Sequence, residues 1–457
     1  MIERIASLPR RFARRLNLPR TASAPFCPSE VRGVIAAPDG QSDGLTGLKR
    51  LMLYAGPGLM VAVGYMDPGN WATDIAAGSR FGYDLLFVVL LAGLAGMVLQ
   101  ILAARLGLVS GLDLAQACRA RYPKPVNLAL WLMAELAIVA TDVAEVLGAG
   151  LAIKLLFGLP LWIGVLLTGL DMLIVLGLKG RGFRQIEAII FALVATIAVC
   201  FLLELCLARP DGAGVLAGAA PDLTRLRDPE ALYLAIGIIG ATVMPHNLYL
   251  HSSIVQTRAV APGEDGMKRA LGMATLDTVA SLIAAAFVNA AILILAAATF
   301  HVHGRGDVAD IADAKALLTP LTGAAAAGLL FAVALFASGQ SSTFTGTITG
   351  QVILDGFLGL KIPCWQRRVI TRLLALIPAL AGVLWLGDGA VGRLLVLTQV
   401  VLSLQLPFAM WPLIRLTRDR GLMGAWRASF WLSAAAWFVF ALILAANLWL
   451  LATGVHG

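Results

Sequence analysis

Two polar tetrapeptides lie inside otherwise apolar stretches and carry the groups best suited to chemistry. They are Asp67–Asn70, with the sequence DPGN, and Met244–Asn247, with the sequence MPHN. Proline and glycine interrupt a helix and leave carbonyl groups without their usual donors. Polar side chains at membrane depth are costly, so their presence there indicates a function. Two broken helices at corresponding places in two halves of a chain predict a transporter binding site.

The two tetrapeptides offer oxygen and sulfur ligands for a metal ion. Asp67 and Asn70 supply side-chain oxygens, and Met244 supplies a thioether. Each proline also frees a carbonyl one turn earlier, at Gly64 and Ala241. Hard Mg²⁺ and Ca²⁺ prefer all-oxygen sites, whereas a thioether favours Fe²⁺, Mn²⁺, Co²⁺ or Cd²⁺. We therefore predict a site for divalent transition metals. The alternatives are core packing for the methionine and a local contact that shapes the kink for the aspartate.

The third apolar segment contains a stripe of three acids: Glu135, Asp142 and Glu145. At about 100° per residue, these positions share one face of a helix. Charges at membrane depth cost about 2.5–3.5 kcal/mol each on insertion scales, so they need water, protons or a positive partner. Arg372, near the start of the ninth segment, is the candidate partner. The stripe is either a proton route or an ion-pair network that joins the third and ninth segments.

Two further polar residues lie in the sixth and tenth segments. His246 is two residues from Met244, so it points to a different side of a helical turn. Histidine titrates near neutral pH, and we expect a role in proton handling, with direct ligation or a satisfied core position as alternatives. Gln399 is either a further amide ligand or a hydrogen-bonding partner of another helix.

The composition indicates an all-α polytopic membrane protein. The 457 residues are 59% hydrophobic and 14% charged, whereas soluble domains carry about 25% charge. Eleven apolar segments have about the length that a bilayer requires. They are 50–79, 84–108, 126–156, 159–178, 185–207, 231–256, 270–299, 318–350, 369–387, 391–415 and 427–453.

The positive charges predict the orientation of these segments. With the N-terminus in the cytoplasm, 27 of the 35 lysines and arginines fall on the cytoplasmic side, as the positive-inside rule requires. The net charge of +8 therefore reflects topology, and no nucleic-acid partner is expected. With eleven segments the C-terminus lies outside. The two tetrapeptides lie in segments 1 and 6, so the second half enters the membrane inverted, which predicts a 5+5 inverted repeat.

The chain divides into a tail and one transmembrane transporter domain. Residues 1–46 are Arg-rich and broken by prolines, and we expect a disordered cytoplasmic tail. Adsorption to an anionic membrane surface and an organelle transit peptide are the alternatives. The transmembrane domain, 47–457, comprises a first repeat at 47–207, a second at 230–416 and an eleventh helix at 427–453. Five scattered cysteines predict neither disulfides nor a zinc site.

The two tetrapeptides together resemble the motifs of the first and sixth helices of the Nramp family of divalent metal transporters. The resemblance extends over residues 48–450 and includes the segment 397–408 around Gln399. It implies a LeuT-like fold and proton-linked uptake of Mn²⁺ or Fe²⁺. The implied metal shell is Asp67, Asn70, Met244, Gln399 and the carbonyls of Gly64 and Ala241. The implied proton-linked positions are Asp67, Glu135, Asp142, Glu145, His246 and Arg372.

The leading prediction is a proton-coupled secondary transporter that imports divalent transition metals by alternating access. The alternatives are a sodium-coupled organic-solute carrier of the same fold and a metal-conducting channel. No nucleophile–base pair, phosphate loop or metalloprotease motif is present in the sequence, so we expect no enzymatic activity. We expect no cofactor, because the metal and the protons are cargo. The protein is expected to function as a monomer in the lipid bilayer of a bacterial inner membrane.

Overall fold

The computed structural model describes residues 55–170, 183–306, 308, 311–322, 326–360 and 364–453. No strand occurs within these ranges, and every regular element is a helix. Nine helical stretches of the described chain are long and apolar enough to cross a membrane. The predicted tail lies outside the described residues, as does most of the second half of the fourth segment.

Eight helices form the first half of the described chain. They are α1 (Pro57–Gly64), α2 (Pro68–Phe81), α3 (Leu86–Ser110), α4 (Leu114–Arg121), α5 (Lys124–Phe157), α6 (Leu161–Thr168), α7 (Phe183–Ala208) and α8 (Gly212–Gly218). The first predicted segment is thus two short helices, α1 and α2, separated by three residues. The division follows from Pro68, which lacks the N–H that would continue α1.

Nine helices form the second half. They are α9 (Pro229–Val243), α10 (Pro245–Ile254), α11 (Glu264–Thr299), α12 (Ile311–Thr322), α13 (Ala327–Leu358), α14 (Cys364–Leu386), α15 (Val391–Leu416), α16 (Arg420–Met423) and α17 (Phe430–Thr453). The sixth predicted segment is divided at Met244 into α9 and α10.

The predicted start of the eighth segment was wrong. Residues 318–322 belong to α12, and the long helix α13 begins at Ala327. Both helices are apolar at this junction, so hydropathy alone joined them into one segment. The sequence reading also missed the short helices α4, α8 and α16, which are too short to cross a bilayer.

Helices at corresponding positions of the two halves pack against one another. The second and seventh spans, α3 and α11, are in contact, and so are the third and eighth, α5 and α13. Contacts also join α6 to α14, α1 to α10 and α2 to α9. This pairing is what a pseudo-two-fold relation between the two halves requires, and it brings the two helix breaks to the centre of the bundle.

Aromatic and glycine contacts fix α2 against its neighbours. The fully buried Trp71 meets Phe201 and Phe331 edge to face, with ring centroids 4.7 and 5.2 Å apart. On another side, Pro68 packs directly against Gly148 of α5, where any Cβ would overlap the proline ring. A glycine is therefore required at position 148 for α5 to approach the break between α1 and α2.

Candidate metal site

The first helix break ends in a carboxylate at the N-terminus of α2. Asp67 caps this helix, and its Oδ1 accepts a hydrogen bond from the Asn70 backbone N–H at 2.8 Å. Both side chains are 1% exposed. The cap uses only one of the two carboxylate oxygens. The other, Oδ2, is buried without a hydrogen-bond donor among the described residues. The free oxygen is therefore available to a cation.

Each break also leaves a backbone carbonyl without its helical donor. Pro68 and Pro245 follow Gly64 and Ala241 by four residues and have no N–H to give them. The nearby carbonyl of Met66 is satisfied, since it accepts hydrogen bonds from the Trp71 indole at 3.2 Å and from the Ser338 hydroxyl at 2.5 Å. The carbonyls of Gly64 and Ala241 therefore lack the helical donor that a residue other than proline would supply.

The second break holds a buried thioether in an unusual backbone conformation. Met244 has φ 39° and ψ 109° and is fully buried. A positive φ is uncommon for a residue with a Cβ and is costly unless the surroundings hold it. Its sulfur accepts a long hydrogen bond from Asn247 Nδ2 at 3.6 Å. The surrounding structure therefore holds Met244 in a conformation that a residue with a Cβ rarely adopts.

Close contacts bring the two breaks and α15 together. Gly64 at the end of α1 packs against the Asn247 side chain of α10. Gly69 at the start of α2 packs against the Gln399 side chain of α15. Gln399 is fully buried, and its Nε2 donates to Thr398 Oγ1 at 3.0 Å. Four helices therefore meet at one point, with polar groups from each break facing the same region.

Four side-chain oxygens around this point are buried and have no hydrogen-bond partner within the described part of the chain. They are Asp67 Oδ2, Asn70 Oδ1, Asn247 Oδ1 and Gln399 Oε1. Each such orphan costs roughly 1–3 kcal/mol, and oxygen atoms of this kind are suitable ligands for a cation. No group of three or more His, Cys, Asp or Glu side chains that could hold a metal occurs among the described residues. The candidate shell therefore depends on one carboxylate, amides, carbonyls and a thioether.

His246 points away from this shell and contacts the third span. Its Nδ1 lies 3.1 Å from Thr141 Oγ1 of α5, and the ring is 3% exposed. Thr141 precedes Asp142, so the contact connects the second break to the acidic stripe. The geometry agrees with the expectation that His246 and Met244 face different sides.

The acids of α5 converge on α13. Gly346 of α13 lies against the carboxylates of both Asp142 and Glu145, which are 6% and 2% exposed. Arg372 of α14 donates to the Thr168 carbonyl of α6 at 2.6 Å. Asp142 and Glu145 thus share one region against α13, and Thr141, which precedes Asp142, joins this region to His246.

Sequence reasoning missed two residues of this arrangement. Asn247 was not assigned a role, although it lies three residues after Met244, one turn along the same helix face. Thr141 carries no charge, so its residue type alone does not indicate a functional role. Its position beside an intramembrane aspartate was the available hint.

Comparisons with known proteins agree with this architecture. A "Divalent metal cation transporter MntH" of Ralstonia nicotianae is 61% identical over 433 residues, which cover 95% of this chain and 97% of that relative. The crystal structure of an Eremococcus coleocola manganese transporter, 38% identical, matches 92% of this chain and 89% of its own with a TM-score of 0.84. The transporter MhsT, 16% identical, matches 87% of this chain and 98% of its own with a TM-score of 0.56.

The distant match shows the fold alone, and it confirms the predicted LeuT-like fold. The closer matches extend over nearly the whole of both chains. The model of the family described as "Natural resistance-associated macrophage protein-like" matches residues 58–453, a range that includes both helix breaks and all four orphan oxygens. From this match and the 61% identity, we conclude that the chain is an integral membrane protein of the Nramp family.

Proposed function

We propose that this protein is a proton-coupled secondary transporter that imports Mn²⁺ and Fe²⁺, and also Co²⁺ or Cd²⁺, into the cytoplasm. The observation that carries the proposal is the group of four orphan oxygens beside a buried, strained methionine at the two helix breaks. The relatives are named as divalent metal cation and manganese transporters, which supports a metal as cargo.

Each candidate ligand has a distinct part in binding. Asp67 supplies the negative charge that offsets the cost of bringing a cation into the membrane interior. Asn70, Gln399 and the carbonyls of Gly64 and Ala241 replace water oxygens around the ion. Met244 supplies the thioether, which disfavours Mg²⁺ and Ca²⁺ relative to transition metals. The single carboxylate offsets only one of the two charges of the ion, which suits binding that must also allow release.

The proton route proposed here begins at the metal site and follows α5. Asp67 belongs to the proposed shell, and His246 lies two residues from Met244. The 3.1 Å contact of His246 with Thr141, which precedes Asp142 in α5, leads to the acidic stripe. Glu145 and Glu135 extend the acidic stripe, and Arg372 is its proposed positive partner. A chain of titratable groups of this kind supports proton movement separate from the metal path.

Closed contacts on both sides of the site support alternating access. On the side of the α1 N-terminus, Asp277 accepts hydrogen bonds from Gly56 N and Gly58 N at 3.3 and 2.7 Å. On the other side, Arg80 of α2 pairs with Glu230 of α9 at 2.5 Å. Opening one set of contacts while keeping the other would expose the site to one compartment at a time.

The charge distribution supports an orientation with the N-terminus in the cytoplasm and the C-terminus outside. The proposed location is the plasma membrane of a bacterium, and the proposed functional unit is a single chain.

The test removes the single carboxylate of the shell. Asp67→Ala should abolish ⁵⁴Mn²⁺ uptake into proteoliposomes, because Asp67 is the only carboxylate among the proposed ligands at the helix breaks. Asp84→Asn is the matched control, since Asp84 is a partly exposed carboxylate paired with Arg225 at 3.1 Å, and it should transport normally. Normal uptake by folded Asp67→Ala protein would refute the proposed site.

A further inference from the structure

Asp74 is a second buried carboxylate of α2 to which the account above gives no role. It is 1% exposed, and its Oδ2 has no hydrogen-bond partner among the described residues. It follows Asp67 by seven residues, which sets it on the same helix face, about 10 Å further along the axis.

The helix that faces this part of α2 carries an unpartnered amide. Asn289 of α11 is 1% exposed, and neither its Oδ1 nor its Nδ2 has a partner among the described residues. A buried amide usually satisfies at least one of these atoms. If Asp74 and Asn289 lie at the same height along the two helices, one bound ligand would explain why both side chains lack a hydrogen-bond partner.

Contacts between α2 and α11 set their register. Gly78 of α2 packs against the Leu293 carbonyl and Ala296 of α11, and Gly82, just after α2, packs against His301, just after α11. The two helices consequently run parallel. Asp74 lies about one turn before Gly78, and Asn289 lies about one turn before Leu293. In parallel helices these two positions are therefore on neighbouring turns. Asn289 also shares its helix face with Ala296, since seven residues are close to two turns.

We propose that Asp74 and Asn289 form a second cation site, on the outer side of Asp67, that holds the incoming divalent ion before it reaches the shell at the helix breaks. This rests on the proposed function, because the ion held is the transported metal. The site offers one carboxylate and one amide oxygen and no sulfur. Hard and borderline ions therefore bind it alike, and selection is left to Met244. An ion arriving at Asp74 would repel the ion at Asp67 and promote its release inward.

The experiment counts Mn²⁺ ions bound to purified protein in nanodiscs, using the electron paramagnetic resonance signal of free Mn²⁺. The wild type should bind two ions per chain. Asp74→Asn should bind one, resistant to excess Ca²⁺. Asp67→Ala should also bind one, about tenfold or more weakly because fewer ligands remain, and excess Ca²⁺ should displace it. The double variant should bind none, and Asp84→Asn, the exposed control, should bind two.

Asn289→Ala provides an independent variant should Asp74→Asn fold poorly, and it should weaken the Ca²⁺-sensitive site alone. A wild type that binds one ion, together with Asp67→Ala protein that binds none, would overturn the second site and leave the proposed function intact. A folded wild type that binds no Mn²⁺ would overturn both. Two ions bound by Asp74→Asn would also refute the assignment.

Discussion

At the residue scale, the sulfur of Met244 is the feature that separates this site from an ordinary hard-ion site. The side chain is fully buried and its backbone is held at φ 39°. Asn247 donates to the sulfur at 3.6 Å, which orients the thioether toward the shared region of the two breaks. Because the other proposed ligands are all oxygens, metal selectivity should depend on this single atom.

Met244→Leu should therefore reduce discrimination against Ca²⁺ and Mg²⁺ while Mn²⁺ uptake continues at a lower rate. Leucine nearly conserves the side-chain volume, so stability should fall by less than about 1.5 kcal/mol. The measurement is ⁵⁴Mn²⁺ uptake into proteoliposomes with increasing Ca²⁺ or Mg²⁺. Met410→Leu is the matched control, since Met410 is also fully buried but lies away from the breaks in sequence. Equal competition curves for the two variants would contradict the role of the sulfur.

At the element scale, the position of α1 depends on a buried ion pair at its N-terminal end. Arg258 pairs with Glu187 of α7 at 2.6 Å, and the two side chains are 2% and 6% exposed. Arg258 Nη2 also donates to the Ala55 carbonyl at 2.8 Å. Together with Asp277, this pair ties the entry of α1 to α7, α11 and the end of α10. A change in α1 during transport must break these contacts.

Glu187→Gln should lower the free energy of unfolding by roughly 3 kcal/mol, because removing one partner of a buried pair leaves the other charge uncompensated. The hydrogen bonds of Arg258 to Ala55 and Thr257 remain in the variant. The loss should therefore lie at the low end of the range of about 3–5 kcal/mol for breaking a buried ion pair. Glu230→Gln is the control, because the Arg80–Glu230 pair has side chains 49% and 48% exposed and should contribute at most about 1 kcal/mol.

The loss in each variant is measured by denaturant unfolding in detergent, followed by tryptophan fluorescence. Equal losses for Glu187→Gln and Glu230→Gln would show that the buried pair does not hold α1.

At the scale of the whole molecule, the proposed direction of metal transport depends on how the chain is oriented in the membrane. The loop before α9 and the start of α11 fall on opposite sides of the membrane in the predicted topology, with Asp222 outside and Glu264 inside. Both residues are exposed. Asp222→Cys should react with an impermeant maleimide in intact cells, whereas Glu264→Cys should react only after the membrane is opened. Labelling of the unsubstituted protein gives the background. The reverse pattern would invert the proposed direction of transport.

The sequence predicted the architecture and most of the candidate ligands because both depend on local signals. Segment length gives the spans, and a proline inside a span gives a break, as at Pro68 and Pro245. The end of α12 and the start of α13 were joined, since hydropathy does not distinguish two consecutive apolar helices from one long helix. Asn247 and Thr141 were missed because their significance lies in contacts between helices that are far apart in sequence.

The most direct test of the central claim is Mn²⁺ uptake into proteoliposomes that contain a pH-sensitive dye, in the presence of excess Mg²⁺. The account predicts saturable Mn²⁺ entry that resists Mg²⁺ and is accompanied by acidification of the interior. Uptake without acidification would leave the metal site in place and reduce the acids of α5 to a structural network. Folded protein that takes up no Mn²⁺ would contradict the account.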